Sequence, residues 1–238
     1  MNPASPPITL VPGWGLGRGP LAGLAQTLGA GIIDLPGWNG TPAIEEFSAA
    51  ADQLALQAPA GTRLIGWSLG GMLSLAAAAR HPERIAGLVL IAGTASFVTR
   101  EEWPDAMPAQ QLEEFTASVL DDFSGLLPRF VGNFNRGDHL AKTITRALLE
   151  QTDPAPPQAV LASTLGWLRE VDLRPLLPAV RCPVLIVQGA LDPLMPLAGA
   201  EALARRLPNA RLEIMPQAAH TPFLSDPDDF LGRLRSFL

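Results

Sequence analysis

One serine lies in a setting where its hydroxyl could act as a nucleophile. Residues 66–71 read G-W-S-L-G-G, with Ser68 at the centre of a G-x-S-x-G motif. An apolar run at 63–67 precedes the motif and an alanine-rich run at 69–80 follows it, which predicts a strand, a tight turn and a helix. Such a turn exposes the hydroxyl beside a helix N-terminus, where developing negative charge is stabilised. The motif therefore predicts acyl transfer through Ser68; a glycine-rich turn with an ordinary serine is the alternative.

A serine hydroxyl needs a general base, and the sequence offers three histidines. We interpret His81, where a helix is predicted to stop, and His139, in a polar helical stretch, as surface residues. His220 instead follows a predicted strand at 211–215 and precedes the last predicted helix. A loop at the carboxyl end of a strand is a suitable place for a general base, so His220 is the candidate.

Asp192 is the candidate acid that orients this base. It follows a predicted strand at 184–188 and precedes a proline, where an aspartate that caps a turn is the alternative interpretation. The chain order of Ser68, Asp192 and His220, each on a loop after a separate strand, favours a catalytic triad. In a triad the carboxylate orients the imidazole, which removes the serine proton.

The tetrahedral intermediate of acyl transfer needs two backbone N–H donors. Leu69, directly after the serine, is expected to supply one. Trp14, in the glycine-flanked loop 12–15 after the first predicted strand, is expected to supply the other, with a purely structural core aromatic as the alternative. The sequence has no clustered metal ligands, dinucleotide-binding glycine motif or P-loop, so we expect neither a metal nor an organic cofactor.

The elements that must position these residues follow the pattern of an α/β protein with a mostly parallel sheet. Short, almost continuously apolar runs indicate strands covered by helices on both faces. About six strands are predicted, at residues 8–11, 31–35, 63–67, 87–92, 184–188 and 211–215. Helices are predicted at residues 20–28, 44–57, 69–80, 198–207 and 227–237.

Residues 97–177 interrupt this alternation. They contain no convincing strand but several amphipathic helical segments, divided by Pro104, Pro108, Pro128 and a proline cluster at 154–157. We therefore predict a core formed by residues 1–96 and 178–238 and a helical insertion at 97–177. Because ligands bind at the carboxyl ends of the strands in such sheets, the insertion is expected to act as a lid.

Composition narrows the class of protein further. The 238 residues are 47% hydrophobic and 17% charged, as expected for one globular domain. A net charge of -6 argues against a nucleic-acid-binding protein, and no apolar run approaches the roughly 20 residues of a membrane helix. The single cysteine, Cys182, excludes an internal disulfide and is expected to be a buried thiol. Residues 1–7 lack the features of a signal peptide, so we expect a cytoplasmic protein, and a monomer.

With its triad order, the whole chain resembles the α/β-hydrolase superfamily. Within it, the chain is similar to the pimeloyl-[acyl-carrier protein] methyl ester esterases of biotin synthesis. That narrower resemblance depends on the motifs at residues 13–15, 66–71, 100–104, 171–174 and 218–223. It implies hydrolysis of the methyl ester at the far end of a pimeloyl chain carried on acyl-carrier protein, with release of methanol.

The resemblance also implies binding residues. Substrate contacts are expected at Trp14, Leu69, Phe130, Val131, Gly132, Asn133, Phe134 and His220. Contacts with the carrier protein are expected at Arg129, Lys142 and Arg146. Residues 129–146 include four basic residues and one acidic residue, so the segment carries +3 in an acidic chain. An ordinary solvated helix face is the alternative interpretation of these charges.

The sequence departs from the family pattern at two places. Pro12 stands where many relatives carry a histidine, and because proline lacks an N–H we expect a stiffer loop with the oxyanion donors intact. Relatives usually have two strands before the oxyanion strand, whereas seven residues precede Ile8, so one sheet edge is expected to lack its usual cover. Two other functions stay open: a carboxylesterase or thioesterase of small free substrates, and a non-catalytic binding protein with this fold.

Overall fold

The computed structural model describes residues 6–238. Within that range six strands form one sheet in the order β2-β1-β3-β4-β5-β6, with every neighbouring pair parallel. The strands are β1 (Ile8–Val11), β2 (Gly31–Ile32), β3 (Thr62–Trp67), β4 (Ile85–Ile91), β5 (Val184–Gly189) and β6 (Ala210–Met215). The predicted α/β fold, with a parallel sheet of about six strands, is confirmed.

The edge strand β2 is shorter than predicted. Only Gly31 and Ile32 pair with β1, although the prediction extended the strand to Leu35. Asp34 instead forms an ion pair with Arg18, and Leu35 is buried in the core beneath the helices on one face. These two side chains take the backbone away from the sheet, so the apolar run ends as a loop.

Helices cover both faces of the sheet. They are α1 (Ala22–Leu28), α2 (Phe47–Gln57), α3 (Leu69–Arg80), α4 (Ala109–Phe134), α5 (Ala141–Glu150), α6 (Gln158–Glu170), α7 (Leu197–Arg206), α8 (Pro222–Ser225) and α9 (Pro227–Arg235). Alternate residues of one strand enter different core clusters: Leu88 and Leu90 pack on one side and Val89 and Ile91 on the other. Burial on both faces explains why the strands read as continuous apolar runs.

Residues 97–177 contribute α4, α5 and α6 but no strand to the sheet that the structure describes. The prediction that Pro128 divides two helices is wrong, since α4 runs through it. The break in α4 lies at Asp122, whose backbone is not helical (φ −147°, ψ 86°). Its side chain accepts a hydrogen bond from Gly125 N (2.9 Å), which caps the second half of α4.

Two of the family motifs meet at the base of this insertion. The guanidinium of Arg100 donates to the carbonyls of Arg169 and Glu170 (2.9 and 3.0 Å) and so caps the end of α6. Nearby, Asp172 accepts from both the backbone and the guanidinium of Arg174, which holds the pKa of that carboxyl below its usual range. The Arg100 contacts thus join the start of the insertion to its end.

Candidate active site

Ser68 occupies a strained turn between β3 and α3. Its backbone lies in the left-handed region (φ 55°), which is unfavourable for a residue with a Cβ. Glycine is required at positions 66 and 70 because neighbouring backbone lies too close to leave room for a Cβ. A Cβ on Gly66 would lie 2.4 Å from the carbonyl oxygen of Gly70, and a Cβ on Gly70 would lie 2.3 Å from that of Val11. The motif at 66–71 thus folds as the predicted strand, turn and helix.

His220 and Asp192 form a buried pair. Nδ1 of His220 lies 2.8 Å from Oδ2 of Asp192, and both side chains are almost completely inaccessible to solvent. The other carboxylate oxygen accepts from the backbone N–H groups of Leu194 and Met195 (2.8 and 2.9 Å). Gln188 Nε2 donates to Oδ2 (3.1 Å). Four donors therefore satisfy the buried carboxylate and fix its orientation toward the imidazole.

The backbone of His220 is held as firmly as its ring. Its carbonyl accepts from the indole of Trp67 (3.0 Å), and its N–H donates to the carbonyl of Phe134 (3.4 Å). Since Trp67 directly precedes Ser68, its indole ties the turn to the loop that carries His220. The sequence singled out Trp67 as a family feature without assigning it this role.

Ser68 and His220 line the same cavity, which has a volume of about 340 Å³. Ser68 Oγ makes no hydrogen bond with another group of residues 6–238. Such bonds are often long in free enzymes and shorten when substrate binds. The structure thus brings Ser68 and His220 to one cavity, with Asp192 bonded to Nδ1 and with Nε2 left without a protein partner within residues 6–238.

The two expected oxyanion donors flank Ser68. Neither Leu69 N nor Trp14 N donates to a protein acceptor within the described range. A Cβ on Gly13 would lie 3.3 Å from Ser68 Cβ, which shows how closely this loop approaches the turn. The indole of Trp14 is buried and donates to Leu161 O (3.1 Å). Its side chain is therefore a buried aromatic, while its N–H has no protein acceptor within residues 6–238.

The cavity wall is mostly apolar and comes largely from the insertion. The ring of Trp14 packs edge-on against Phe115 and Phe130 (both 5.5 Å between centroids). Side chains of the insertion that line the cavity but were not predicted are Phe97, Met107, Gln111, Leu112, Phe115, Leu126, Arg136, Leu165 and Leu168. The sequence carried a signal for several of them, because pairs such as 112 and 115, or 165 and 168, have helical spacing.

The predicted substrate contacts at 130–134 divide between two surfaces. Phe130, Asn133 and Phe134 line the cavity. Val131 is fully buried in the core without lining the cavity, and Gly132 borders a separate groove beside α5. Successive residues of a helix point about 100° apart, so five consecutive residues cannot all face one cavity. Val131 and Gly132 therefore do not line this cavity, and their substrate contacts stay a prediction.

The three residues expected to contact the carrier protein also lie on two different surfaces. Arg129 lines the cavity together with Arg136, whereas Lys142 and Arg146 border the groove beside α5. Arg146 Nε lies 3.9 Å from the carboxylate of Glu150, four residues further along α5. The +3 counted from the sequence is therefore partly compensated by an acidic residue just outside the counted segment.

Two absences and the positions of the other two histidines complete the description of residues 6–238. No group of three or more potential protein ligands there could hold a metal ion. No helix is long and apolar enough to cross a membrane. His81 lies away from the cavity, with Nε2 2.7 Å from Asp52 Oδ1. His139 is exposed but adjoins the buried Asp138, at 3.4 Å.

Known proteins share this fold. A family model described as the alpha/beta hydrolase fold matches residues 32–227. An esterase from Exiguobacterium antarcticum superimposes with a TM-score of 0.82 at 20% identity, over 98% of this chain and 91% of that one. The chain belongs to the α/β-hydrolase family, as the triad order indicated.

Closer relatives narrow this class. The pimeloyl-[acyl-carrier protein] methyl ester esterase of Aromatoleum aromaticum is 40% identical over 94% of this chain and 94% of the relative. The protein of the same name from Chromobacterium violaceum is 36% identical over 98% of this chain and 94% of the relative. Within the α/β hydrolases the chain is thus a member of this esterase family, and the resemblance seen in its motifs is confirmed.

Proposed function

We propose that this protein hydrolyses the methyl ester of a pimeloyl group carried on acyl-carrier protein, with Ser68, His220 and Asp192 as its catalytic triad. The observation that carries the proposal is the buried pair of His220 and Asp192 beside the strained Ser68, at the wall of an apolar cavity. The names of its relatives support the choice of substrate.

The geometry supports a two-step acyl transfer. His220 Nε2 takes the Ser68 proton as Oγ attacks the ester carbonyl, and the N–H groups of Leu69 and Trp14 donate to the oxyanion. The imidazolium then protonates the departing methoxide, which leaves as methanol. Water attacks the acyl-enzyme while His220 accepts its proton, and collapse of the second intermediate returns the proton to Ser68.

The cavity suits a methylene chain with a bulky acidic carrier outside. Its wall is aromatic and aliphatic, and among its lining residues in the described chain there is no carboxylate. Arg129, on α4, and Arg136, in the turn after α4, are the charged lining residues. An acidic carrier would approach such a surface faster than a neutral molecule would.

In this proposal residues 97–177 act as the lid over residues 1–96 and 178–238. The helices α4 and α6 supply much of the cavity wall, so the acyl chain must lie between them and the sheet. We further propose that the enzyme acts as a monomer in the cytoplasm and requires no cofactor.

The deciding experiment measures the products of cleavage at both ends of the substrate. Purified protein is given pimeloyl-carrier methyl ester, and methanol and free carrier thiol are measured together, with kcat/KM for a short free ester as the comparison. Methanol without thiol, and a higher kcat/KM for the carrier substrate, is the expected result. Thiol release would make the protein a thioesterase; equal or better turnover of the free ester would make it a general carboxylesterase.

Charge reversal on α5 is expected to weaken hydrolysis of the carrier substrate alone. A Lys142→Glu, Arg146→Glu double variant should lose about tenfold in kcat/KM for the carrier-bound ester at low salt, because electrostatic steering is lost. The loss should shrink as salt is added. Both residues border the groove and not the cavity, so turnover of a small ester should be unchanged.

Arg205→Glu on α7 is the matched control for this charge reversal. Arg205 is about as exposed as Arg146 and has the same kind of partner, Glu201, at 3.9 Å. Arg205→Glu should leave kcat/KM unchanged for both the carrier-bound ester and the small ester. Equal loss with both substrates in the double variant would show damage to the lid, and loss with neither would show an ordinary solvated face.

The single thiol should play no part in the reaction. Cys182 is buried, and burial raises the pKa of its thiol to about 11. At pH 7 only about one molecule in 10⁴ would carry the thiolate, which is the reactive form. Iodoacetamide at pH 7 should leave the protein mass and the esterase rate unchanged, while a serine-directed fluorophosphonate abolishes the rate. Inactivation in step with alkylation would contradict this prediction.

A further inference from the structure

The insertion is hydrogen-bonded directly to the segment that carries His220. We call residues 134–139, between α4 and α5, the lid turn and residues 217–221 the histidine loop. Five contacts join them: His220 N to Phe134 O (3.4 Å), Thr221 Oγ1 to Asn135 Oδ1 (2.7 Å), Ala219 N to Asp138 Oδ2 (3.1 Å), and both His139 N and His139 Nδ1 to Gln217 O (3.4 Å each). The phenyl ring of Phe134 also packs against the imidazole at 5.2 Å.

Asp138 is the unusual member of this set. Its side chain is inaccessible to solvent, and no lysine or arginine within the described range pairs with it. The carboxylate instead accepts two backbone N–H groups, Leu140 N (2.7 Å) on its own segment and Ala219 N (3.1 Å) on the histidine loop. Burial of a carboxylate is costly unless its oxygens are satisfied, so this geometry is tightly specified.

The position of Nε2 depends on how the rest of His220 is held. Nδ1 is fixed by Asp192, the carbonyl by Trp67, and the N–H by the lid turn. Ala219, directly before His220, is fixed by Asp138. Without the bond from Ala219 to Asp138, the start of the histidine loop could shift. A displacement of 1 Å at a reacting group can reduce the rate by about 10²-fold.

We propose that Asp138 is a positioning residue for His220, so that the lid turn is part of the scaffold of the catalytic base as well as a cover. The inference builds on the proposed triad. Asn135 acts in the same way through Thr221, one residue after His220. The lid turn and the triad are thus coupled through the backbone on both sides of the imidazole.

The test separates positioning from simple destabilisation. In Asp138→Asn the side chain keeps its size, but its NH₂ group must face one of the two N–H donors. For a small soluble ester we expect kcat to fall about tenfold or more with KM within about twofold, because ground-state binding in the cavity is untouched. Labelling by a fluorophosphonate should become slower by a similar factor and still reach one label per protein.

The final labelled fraction and the labelling rate together distinguish a positioning role of Asp138 from a purely structural one. A purely structural role would lower the labelled fraction and leave the rate of labelling of the folded fraction unchanged, which would overturn the proposal. An unchanged kcat would overturn it as well. If the wild-type protein itself is neither labelled nor active on esters, the proposed function fails first, so the two failures are distinguishable.

Two further variants guard against a folding defect in Asp138→Asn. Thr221→Val removes the bond to Asn135 while keeping the shape, and should lower kcat several-fold; Thr221→Ser keeps the hydroxyl and should restore it. Asp172→Asn is the matched control, since Asp172 also accepts a backbone N–H at the edge of the insertion but touches no residue of the histidine loop. It should label at the wild-type rate.

Discussion

Replacing Ser68 with alanine is expected to reduce ester hydrolysis by at least about 10³-fold, because the acyl-enzyme pathway is then closed. The fold should be retained for two reasons. Alanine also carries a Cβ, so it adds no strain beyond that which serine already bears at φ 55°. Ser68 Oγ has no protein partner within residues 6–238, so no internal hydrogen bond is lost.

The measurement combines activity, labelling and thermal unfolding. Purified Ser68→Ala should fail to react with a fluorophosphonate, and its melting temperature should stay within about 4 °C of the wild type, the shift that about 1 kcal/mol produces at this size. Ser74→Ala is the matched control, a buried serine one and a half turns further along α3. It should label fully. Turnover above about 1% of the wild type in Ser68→Ala would contradict the assignment, given the size of the expected loss.

The meeting of Ser68, Asp192 and His220 at one site was predictable because each residue carries a local signal. Ser68 has a motif that requires glycines at fixed positions, and the distances at Gly66 and Gly70 show why no other residue fits there. Asp192 and His220 each follow an apolar run that proved to be β5 or β6. Parallel strands place their carboxyl ends at one edge of a sheet, so residues far apart in sequence were expected to meet.

The supports of the triad were not predictable in the same way. Trp67 reaches His220 across 153 residues, and Asp138 reaches Ala219 across 81. Both bonds end on backbone atoms, which every residue possesses, so no side-chain pattern in the sequence marks the acceptor or the donor. Asp138 was therefore counted only as one negative charge in a basic segment, although it is buried and satisfied.

The position of Val131 and Gly132 away from the cavity was missed for a different reason. A contact segment was transferred from the family as a continuous run, although the same sequence predicted a helix there. Helical geometry alone would have kept Phe130, Asn133 and Phe134 together and excluded the two residues between them. Periodicity should therefore be applied to a transferred motif before its residues are assigned to one surface.

Asp192→Asn should be almost as damaging to catalysis as the loss of the nucleophile. The carbonyl oxygen of the asparagine would keep the position of Oδ1, where the N–H groups of Leu194 and Met195 require an acceptor. Its NH₂ group would then face Nδ1 of His220 and donate to it. The imidazole would carry its proton on Nε2 and could not accept the proton of Ser68, which is expected to reduce kcat by about 10³- to 10⁴-fold.

The fold should tolerate this substitution because of Gln188. Its Nε2 now donates to Asp192 Oδ2, and its buried Oε1 has no partner within the described residues. A flip of the Gln188 amide would present Oε1 to the new NH₂ group, so no pair of donors would be left face to face, but it would lose the bond from Nε2 to Met195 O (2.8 Å) and should cost some stability. Asp192→Asn should therefore unfold as a single cooperative unit and still reach full, though slow, phosphonate labelling.

Asp226→Asn, which alters only the cap of α9, should retain wild-type turnover. A loss of less than about tenfold in Asp192→Asn would mean that the carboxylate does not orient the base, because a wrong tautomer cannot support rapid proton transfer.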